Sequence, residues 1–239
     1  WCCLVGSEMC IRDSSYDAAL TILDEDKIIY SRSKLPATDE EALQDSMILR
    51  VKNQLKIRTE DVSFVIDELK IMFEKDKSFS QVADFDNIGI FGHSFGGCTS
   101  IMSAYNDTRI DAVIGLDAYF LPLPKEVIKK DLNTPFVHLG QVSWGDSDNY
   151  EVMSELGKSS NREFYHFAIE GSKHNDYTDF SQFTKLTRKF GSGKISPKSI
   201  RYIMNDVMLG FFDYHLKNRS IFDHNQYQKK YESVKTYVY

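Results

Sequence analysis

The sequence predicts an α/β fold, in which helices pack on both faces of a parallel β-sheet. Apolar runs of strand length alternate with segments of helical periodicity, and parallel strands need such long crossovers between them. The runs are almost continuously apolar, which is typical of strands buried on both faces. The 239 residues suffice for one large domain. The predicted strands are residues 88–91, 110–116, 135–140 and 163–169.

The helical segments are recognised by apolar residues spaced three and four apart and by their start signals. Thr38 and Glu41 have the spacing of a capping box, and the long pattern after them runs to about Lys75. Between Tyr16 and Ser33, short apolar runs around an acidic turn predict loop and short elements. Further helices are predicted directly after residue 94, over residues 150–157, and from residue 196 onward.

Composition narrows the range of functions. A net charge of −6 without a basic tract disfavours a nucleic-acid partner. No run of 18 apolar residues occurs, so we expect no transmembrane segment. Cys98 is expected to be a packed free thiol. His174, Asp176 and Asp179 are potential metal ligands, but loop polarity and helix capping explain them better, and we expect neither a metal nor a cofactor.

The first residues have no place in this pattern. The ten residues from Leu4 to Asp13 lack helical and strand periodicity, and they match one translated frame of a common transposase sequencing adapter. We therefore expect residues 1–14 to be a translated adapter and not native. Residues 15–239 are then expected to be the C-terminal portion of a single α/β domain.

A nucleophile motif follows the first predicted strand. Residues 92–96 read Gly-His-Ser-Phe-Gly, a Gly-x-Ser-x-Gly pattern between an apolar run and a helix start rich in small residues. In this context the serine lies on a sharp strand-to-helix turn whose flanking positions tolerate little but glycine. The context favours a nucleophile over a purely structural turn. We predict Ser94 as the nucleophile and the backbone N–H of Phe95 as an oxyanion-hole donor.

Two further side chains complete a catalytic set. Asp117 and His174 each follow the end of a predicted strand, and the carboxyl ends of parallel strands meet at one edge of a sheet. The order Ser, Asp, His is that of α/β-hydrolases. A serine hydroxyl needs a base to take its proton, and the base needs a carboxylate to fix its tautomer. The sequence therefore predicts His174 as general base and Asp117 as the orienting acid.

Two points in this assignment have alternatives. Many α/β-hydrolases carry the acid one strand later, where Asp146 and Asp148 lie, so Asp146 is the alternative acid. His174 is favoured among the six histidines because it follows the last predicted strand. His93, next to the nucleophile, is expected to point elsewhere.

Three sequence blocks resemble the plasma-type, or isoform II, platelet-activating factor acetylhydrolase family. They are residues 92–97, residues 116–118 followed by an aromatic residue and Pro122, and residues 171–174 followed by Asp179-Phe180. The resemblance implies an α/β-hydrolase fold and a calcium-independent serine esterase acting on short or oxidised acyl chains of phospholipids or on small esters. It also places the acid at Asp117. Residues 175–177 depart from the family pattern, which leaves the preferred substrate open.

The resemblance also implies that part of the family's fold precedes this chain. In the family, several strands and a helix come before the position of Tyr16, and they include the loop that gives the second oxyanion donor. We therefore expect the N-terminal strands to be missing and the edge at residues 89–92 to be open. Loss of one oxyanion donor typically lowers kcat by roughly 10²–10³. The chain expressed alone is expected to aggregate or to be partly molten, and inactive.

Other functions stay open at this stage. A peptidase or an acyltransferase uses the same elbow, and a catalytically silent α/β-hydrolase can serve as a binding scaffold. The apolar loop at residues 119–124 either lines an acyl pocket, makes transient contact with a lipid surface, or fills the core.

Overall fold

A mixed six-stranded sheet forms the centre of the molecule, with strand order β1-β4-β5-β6-β7-β8. The computed structural model describes residues 3–5, 19–24, 27–32, 45–75, 83–130, 132–142, 144, 148–183, 186, 189, 191–219 and 221–239. The strands are β1 (Cys3–Val5), β2 (Ala19–Asp24), β3 (Lys27–Arg32), β4 (Ile88–His93), β5 (Ile110–Leu116), β6 (Phe136–Gln141), β7 (Phe164–Ile169) and β8 (Val234–Val238). The helices are α1 (Asp45–Lys75), α2 (Phe95–Asn106), α3 (Lys125–Lys129), α4 (Asn149–Ser159), α5 (Phe180–Phe183), α6 (Pro197–Lys217) and α7 (His224–Lys230), with a 3₁₀ turn at His174–Tyr177.

The sheet is parallel from β1 to β7, and β8 is antiparallel to β7. Each predicted strand is present within a residue or two, and crossover helices follow β4, β5 and β6. Separately, β2 and β3 form an antiparallel hairpin where sequence analysis predicts only short elements. The predicted α/β fold with a parallel sheet and flanking helices is confirmed.

Apolar side chains cover both faces of the sheet. One core contains residues of α1, α2 and α4, and the other contains residues of α6. Alternate residues of β5 enter both cores: Val113 is in the first and Ile114 is in the second. This two-sided burial explains why the strands are almost continuously apolar in sequence.

Two elements differ from the sequence-based expectations. The edge at residues 89–92 is not open, because Cys3–Val5 pairs in parallel with Gly89, Ile90 and Phe91. An unpaired edge accepts any extended segment through backbone hydrogen bonds, so sequence patterns do not reveal such a partner. Strand β8 was not predicted either, because only Val234 of its five residues is buried and its apolar signal is weak. The capping box proposed for Thr38 and Glu41 lies outside the described residues.

Helix α1 carries large apolar side chains on its exposed side. Ile57, Phe64 and Ile71 are 38%, 60% and 42% exposed, whereas Val51 and Leu55 of the same helix are buried in the core. Such exposed side chains favour self-association. Across the described helices, none combines the length and the apolar character that a membrane crossing needs.

We expect the 239-residue chain, expressed alone, to associate through this side of α1. The double substitution Phe64→Lys and Ile71→Lys should lower light scattering at equal concentration without lowering the melting temperature, because neither side chain is buried. Ile66→Lys is the control: Ile66 is only 1% exposed, and burying a charge there should unfold the domain. A monodisperse unmodified chain with a cooperative melt would contradict the expectation.

Candidate active site

Ser94 lies at the turn from β4 into α2, in a backbone conformation that side chains seldom adopt. Its φ of 56° and ψ of −121° form the strained elbow that the motif predicts. The turn is tied to β5, because the Ser94 N–H donates to the carbonyl of Leu116 at 3.0 Å. The Ser94 carbonyl in turn accepts from the N–H of Tyr119 at 2.9 Å. The elbow and the end of β5 are therefore one hydrogen-bonded unit.

Close packing of backbone segments explains the glycines of the elbow. A Cβ atom on Gly92 would overlap the carbonyl group of Gly96, and one on Gly97 would lie 2.5 Å from Cβ of Ala118. Cys98, one turn along α2, is buried and free, and burial raises the pKa of its thiol. It is therefore a packing residue and not a reactive thiolate.

The Ser94 side chain is available for chemistry. It is partly exposed, and within the described first turn of α2 its hydroxyl makes no capping hydrogen bond. Phe95 is the first residue of α2, so its N–H belongs to the group of helix-start amides without an intrahelical acceptor. An oxyanion that forms beside Ser94 would lie near this N–H and near the positive end of the helix dipole.

Asp117 and His174 are in direct contact. Nδ1 of His174 lies 2.6 Å from Oδ2 of Asp117, which is fully buried directly after β5. The other donors to this carboxylate come from β6, from the segment after it, and from α4, whose Tyr150 hydroxyl donates to Oδ1 at 3.3 Å. The backbone N–H of Gln141 donates to Oδ1 at 3.1 Å, its side-chain amide donates to Oδ2 at 3.0 Å, and the indole N–H of Trp144 donates to Oδ1 at 3.1 Å.

The contacts of Asp117 determine the ionisation state of its carboxyl group. Burial raises the pKa of the Asp117 carboxyl, but the hydrogen bond and charge of His174, together with the Gln141 N–H, outweigh it and lower the pKa below its usual value. Asp117 is therefore ionised at neutral pH and can only accept. The proton between the two groups belongs to Nδ1 of His174, which leaves Nε2 free to accept a proton.

The alternative acids, Asp146 and Asp148, follow β6 in the sequence. Asp146 lies outside the described residues. Asp148 is exposed at the N-cap of α4, and its carbonyl accepts from the N–H of Val152. The structure thus places Asp117, and not Asp148, against His174.

The loop that carries His174 is held by a buried carboxylate. Oδ2 of Asp176 accepts from the backbone N–H of Lys173 at 2.9 Å and from that of Gly193 at 2.6 Å. Oδ1 of Asp179 accepts from the side chain of Gln182 at 3.1 Å. These contacts agree with loop polarity as the explanation of the two acidic residues. Asp176 ties the His174 loop to the segment that leads into α6.

Several neighbours of the site carry no clear signal in the sequence. His93 was expected to point elsewhere, and that expectation is wrong: its ring centroid lies 4.4 Å from that of His174. Gln141 and Trp144 were not identified as donors to Asp117. Gln141 is the last residue of β6, so the rule that polar groups collect at strand ends could have found it.

Aromatic rings form a wall beside the candidate triad. The ring of Tyr119 stacks on that of Trp144 with centroids 5.8 Å apart, and the indole of Trp144 meets His174 edge-on at 5.1 Å. The rest of the 119–124 loop contributes to the core, since Phe120 and Leu123 are buried there. Tyr119 and Trp144 therefore form an aromatic surface next to His174.

Comparisons with known proteins show which family the chain is similar to. The profile of the family "Platelet-activating factor acetylhydrolase, isoform II" matches residues 23–237. The platelet-activating factor acetylhydrolase of Gallus gallus is 29% identical over 143 residues, which cover 59% of this chain and 34% of that protein. The platelet-activating factor acetylhydrolase of Canis lupus familiaris is 28% identical over 166 residues, which cover 68% of this chain and 35% of that protein. The chain spans about a third of the length of these curated relatives.

A solved structure has a similar fold. The ferulic acid esterase from Streptomyces cinnamoneus superposes with a TM-score of 0.60 over 86% of this chain and 58% of that chain, at 21% sequence identity. At this identity the comparison supports the α/β-hydrolase fold alone.

Proposed function

Because the chain belongs to the platelet-activating factor acetylhydrolase isoform II family, we propose that it is a serine ester hydrolase with Ser94, His174 and Asp117 as its catalytic triad. The observation that carries the proposal is the 2.6 Å contact between His174 Nδ1 and a fully buried Asp117, which is bonded to the same strand end as the Ser94 elbow. A catalytically silent scaffold would have no need to keep a buried carboxylate–imidazole pair at the strand end that is bonded to this elbow.

The proposed reaction proceeds through an acyl-enzyme. Nε2 of His174 takes the hydroxyl proton of Ser94 while Oγ attacks the ester carbonyl carbon. The N–H of Phe95 stabilises the negative charge that develops on the carbonyl oxygen. When the ester bond breaks, His174 gives its proton to the leaving alcohol. Water then attacks the acyl-enzyme by the same steps, releasing the acid and restoring the Ser94 hydroxyl.

The proposed substrates are esters with short or oxidised acyl chains, on a phospholipid or on a smaller alcohol. The names of the curated relatives support an acetyl ester, and the wall of Tyr119 and Trp144 supports an apolar or aromatic group beside the triad. A phospholipid substrate would require transient contact with a lipid surface.

We expect a fluorophosphonate probe to label the full-length protein that carries these residues at Ser94, as located by mass spectrometry of the labelled peptide. Ser94→Ala should prevent labelling. Ser100→Ala is the matched control on the same helix, because the Ser100 hydroxyl is buried and bonded to the carbonyl of Gly96. Hydrolysis should be faster for p-nitrophenyl acetate than for long-chain p-nitrophenyl esters.

Three results would reject parts of this proposal. Absence of labelling in a folded protein would favour the silent scaffold. Labelling at a serine other than Ser94 would remove the assigned nucleophile. Preferential turnover of long-chain esters or of amides would favour a lipase or a peptidase over an acetylhydrolase.

A further inference from the structure

The position of His174 presents a geometric problem. It lies on a loop after β7, whereas Ser94 follows β4, three strands away in the sheet. Three strand spacings amount to about 14 Å. The loop must therefore reach back across the ends of β6 and β5 to bring the imidazole to the serine.

The contacts at the base of the loop and at the imidazole do not by themselves fix the direction in which Nε2 of His174 points. Asp176 fixes the base of the loop through the backbone N–H groups of Lys173 and Gly193. Asp117 holds Nδ1 of the ring. The hydrogen bond at Nδ1 and the edge contact with Trp144 both act on the ring, and neither of them holds the backbone of His174.

The third contact comes from His93. Its Nε2 lies 3.0 Å from the carbonyl oxygen of His174, and the two rings are tilted by 38° at a centroid distance of 4.4 Å. Since a carbonyl oxygen only accepts, Nε2 of His93 carries the hydrogen. Burial and the neighbouring His174 lower the pKa of His93 to about 3, so it is a neutral donor at physiological pH.

We propose that His93 is a positioning residue, which holds the backbone of His174 within reach of Ser94 by donating its Nε2–H to the His174 carbonyl. The inference rests on the proposed function, since it concerns the same triad. His93 directly precedes Ser94 and is only 6% exposed. The end of β4 thus sets the position of Ser94 and also anchors the loop that carries His174.

The test separates the hydrogen bond from the ring contact, using variants of the full-length protein. His93→Phe keeps a ring but removes the donor, and His93→Met removes the donor with a flexible side chain in case His93→Phe does not fold. His93→Gln keeps an N–H donor at similar reach. His215→Phe is the matched control, because His215 is a partly buried histidine of α6 that packs against Phe211 and Tyr214.

With p-nitrophenyl acetate, we expect the variants without a donor to lower kcat by about 10- to 100-fold, the size of effect that a misplaced catalytic group produces. KM should stay within about threefold, because His93 has no proposed contact with substrate. His93→Gln should recover kcat to within about fivefold of the unmodified protein, and His215→Phe should leave kcat unchanged. A merely structural role for His93 would lower the melting temperature without this separation of kcat from KM.

The outcomes distinguish this inference from the proposed function. If Ser94→Ala keeps its activity, the proposed function fails, whatever His93 does. If Ser94→Ala is inactive but the variants without a donor keep kcat within twofold, the role of His93 alone is rejected. If His93→Gln is as slow as His93→Phe at equal melting temperature, the hydrogen bond is not the cause and the inference is also rejected.

Discussion

Asp117→Asn is expected to lower kcat by about 10⁴ while the fold is retained, as loss of the orienting carboxylate does in serine hydrolases that use this triad. An asparagine amide facing His174 would donate to Nδ1. The imidazole proton would then move to Nε2, which could no longer accept the proton of Ser94. The 2.6 Å contact between Asp117 and His174 makes this exchange of tautomers the direct consequence of the substitution.

The controls for this prediction are the acidic residues one strand later. Asp148→Asn should change kcat by less than twofold, because Asp148 is exposed at the N-cap of α4. Asp146→Asn should behave in the same way. Steady-state kinetics with p-nitrophenyl acetate and thermal melts of all three variants provide the measurement. A loss in Asp146→Asn comparable to that expected for Asp117→Asn would transfer the role of the acid to Asp146.

The same carboxylate should also affect stability at low pH. The pKa of Asp117 is lower in the folded protein than the ordinary value of 3.8, so the unfolded state takes up a proton first as the pH falls. The contribution of the ionised group is complete above about pH 4 and is lost as the pH falls through the folded-state pKa. The stability of Asp117→Asn should therefore fall less steeply than that of the unmodified protein below pH 4, measured by urea unfolding.

The main parts of the site could be predicted because each has a local signal. Ser94 has the glycine-flanked turn, and Asp117 and His174 follow strands that are recognisable as apolar runs. The contacts between them could not be predicted in the same way. Gln141 contacts Asp117 and His93 contacts His174, and in each pair the two residues are far apart in sequence. Spacing along the chain does not encode these contacts. They depend on the strand order β4-β5-β6-β7, which brings the strand ends together.

The edges of the sheet were less predictable than its centre. The central strands are buried on both faces, so their composition alone identifies them. Cys3–Val5 and Val234–Val238 are short outer strands, and any extended segment can pair with a sheet edge through backbone hydrogen bonds. Their side chains therefore say little about their pairing.

Gly92→Ala is expected to abolish measurable esterase activity and to lower the free energy of unfolding by about 3 kcal/mol or more. The added Cβ would overlap the carbonyl group of Gly96 and lie 2.8 Å from the backbone nitrogen of Gly97. All of these are backbone atoms, so no change of side-chain rotamer can relieve the overlap. The turn must open, and Ser94 moves with it.

Opening the turn would break the hydrogen bonds that join Ser94 to Leu116 and Tyr119. These two residues flank Asp117, so the nucleophile would shift relative to the acid. Gly210→Ala is the matched control, since its added Cβ would meet the hydroxyl end of the Tyr227 side chain, which can swing aside. Gly210 lies within α6, where alanine also gains about 1 kcal/mol of helix propensity. Urea unfolding and fluorophosphonate labelling of both variants measure the effect. Labelling of Gly92→Ala at the unmodified rate would show that the elbow tolerates a side chain there, which this geometry does not allow.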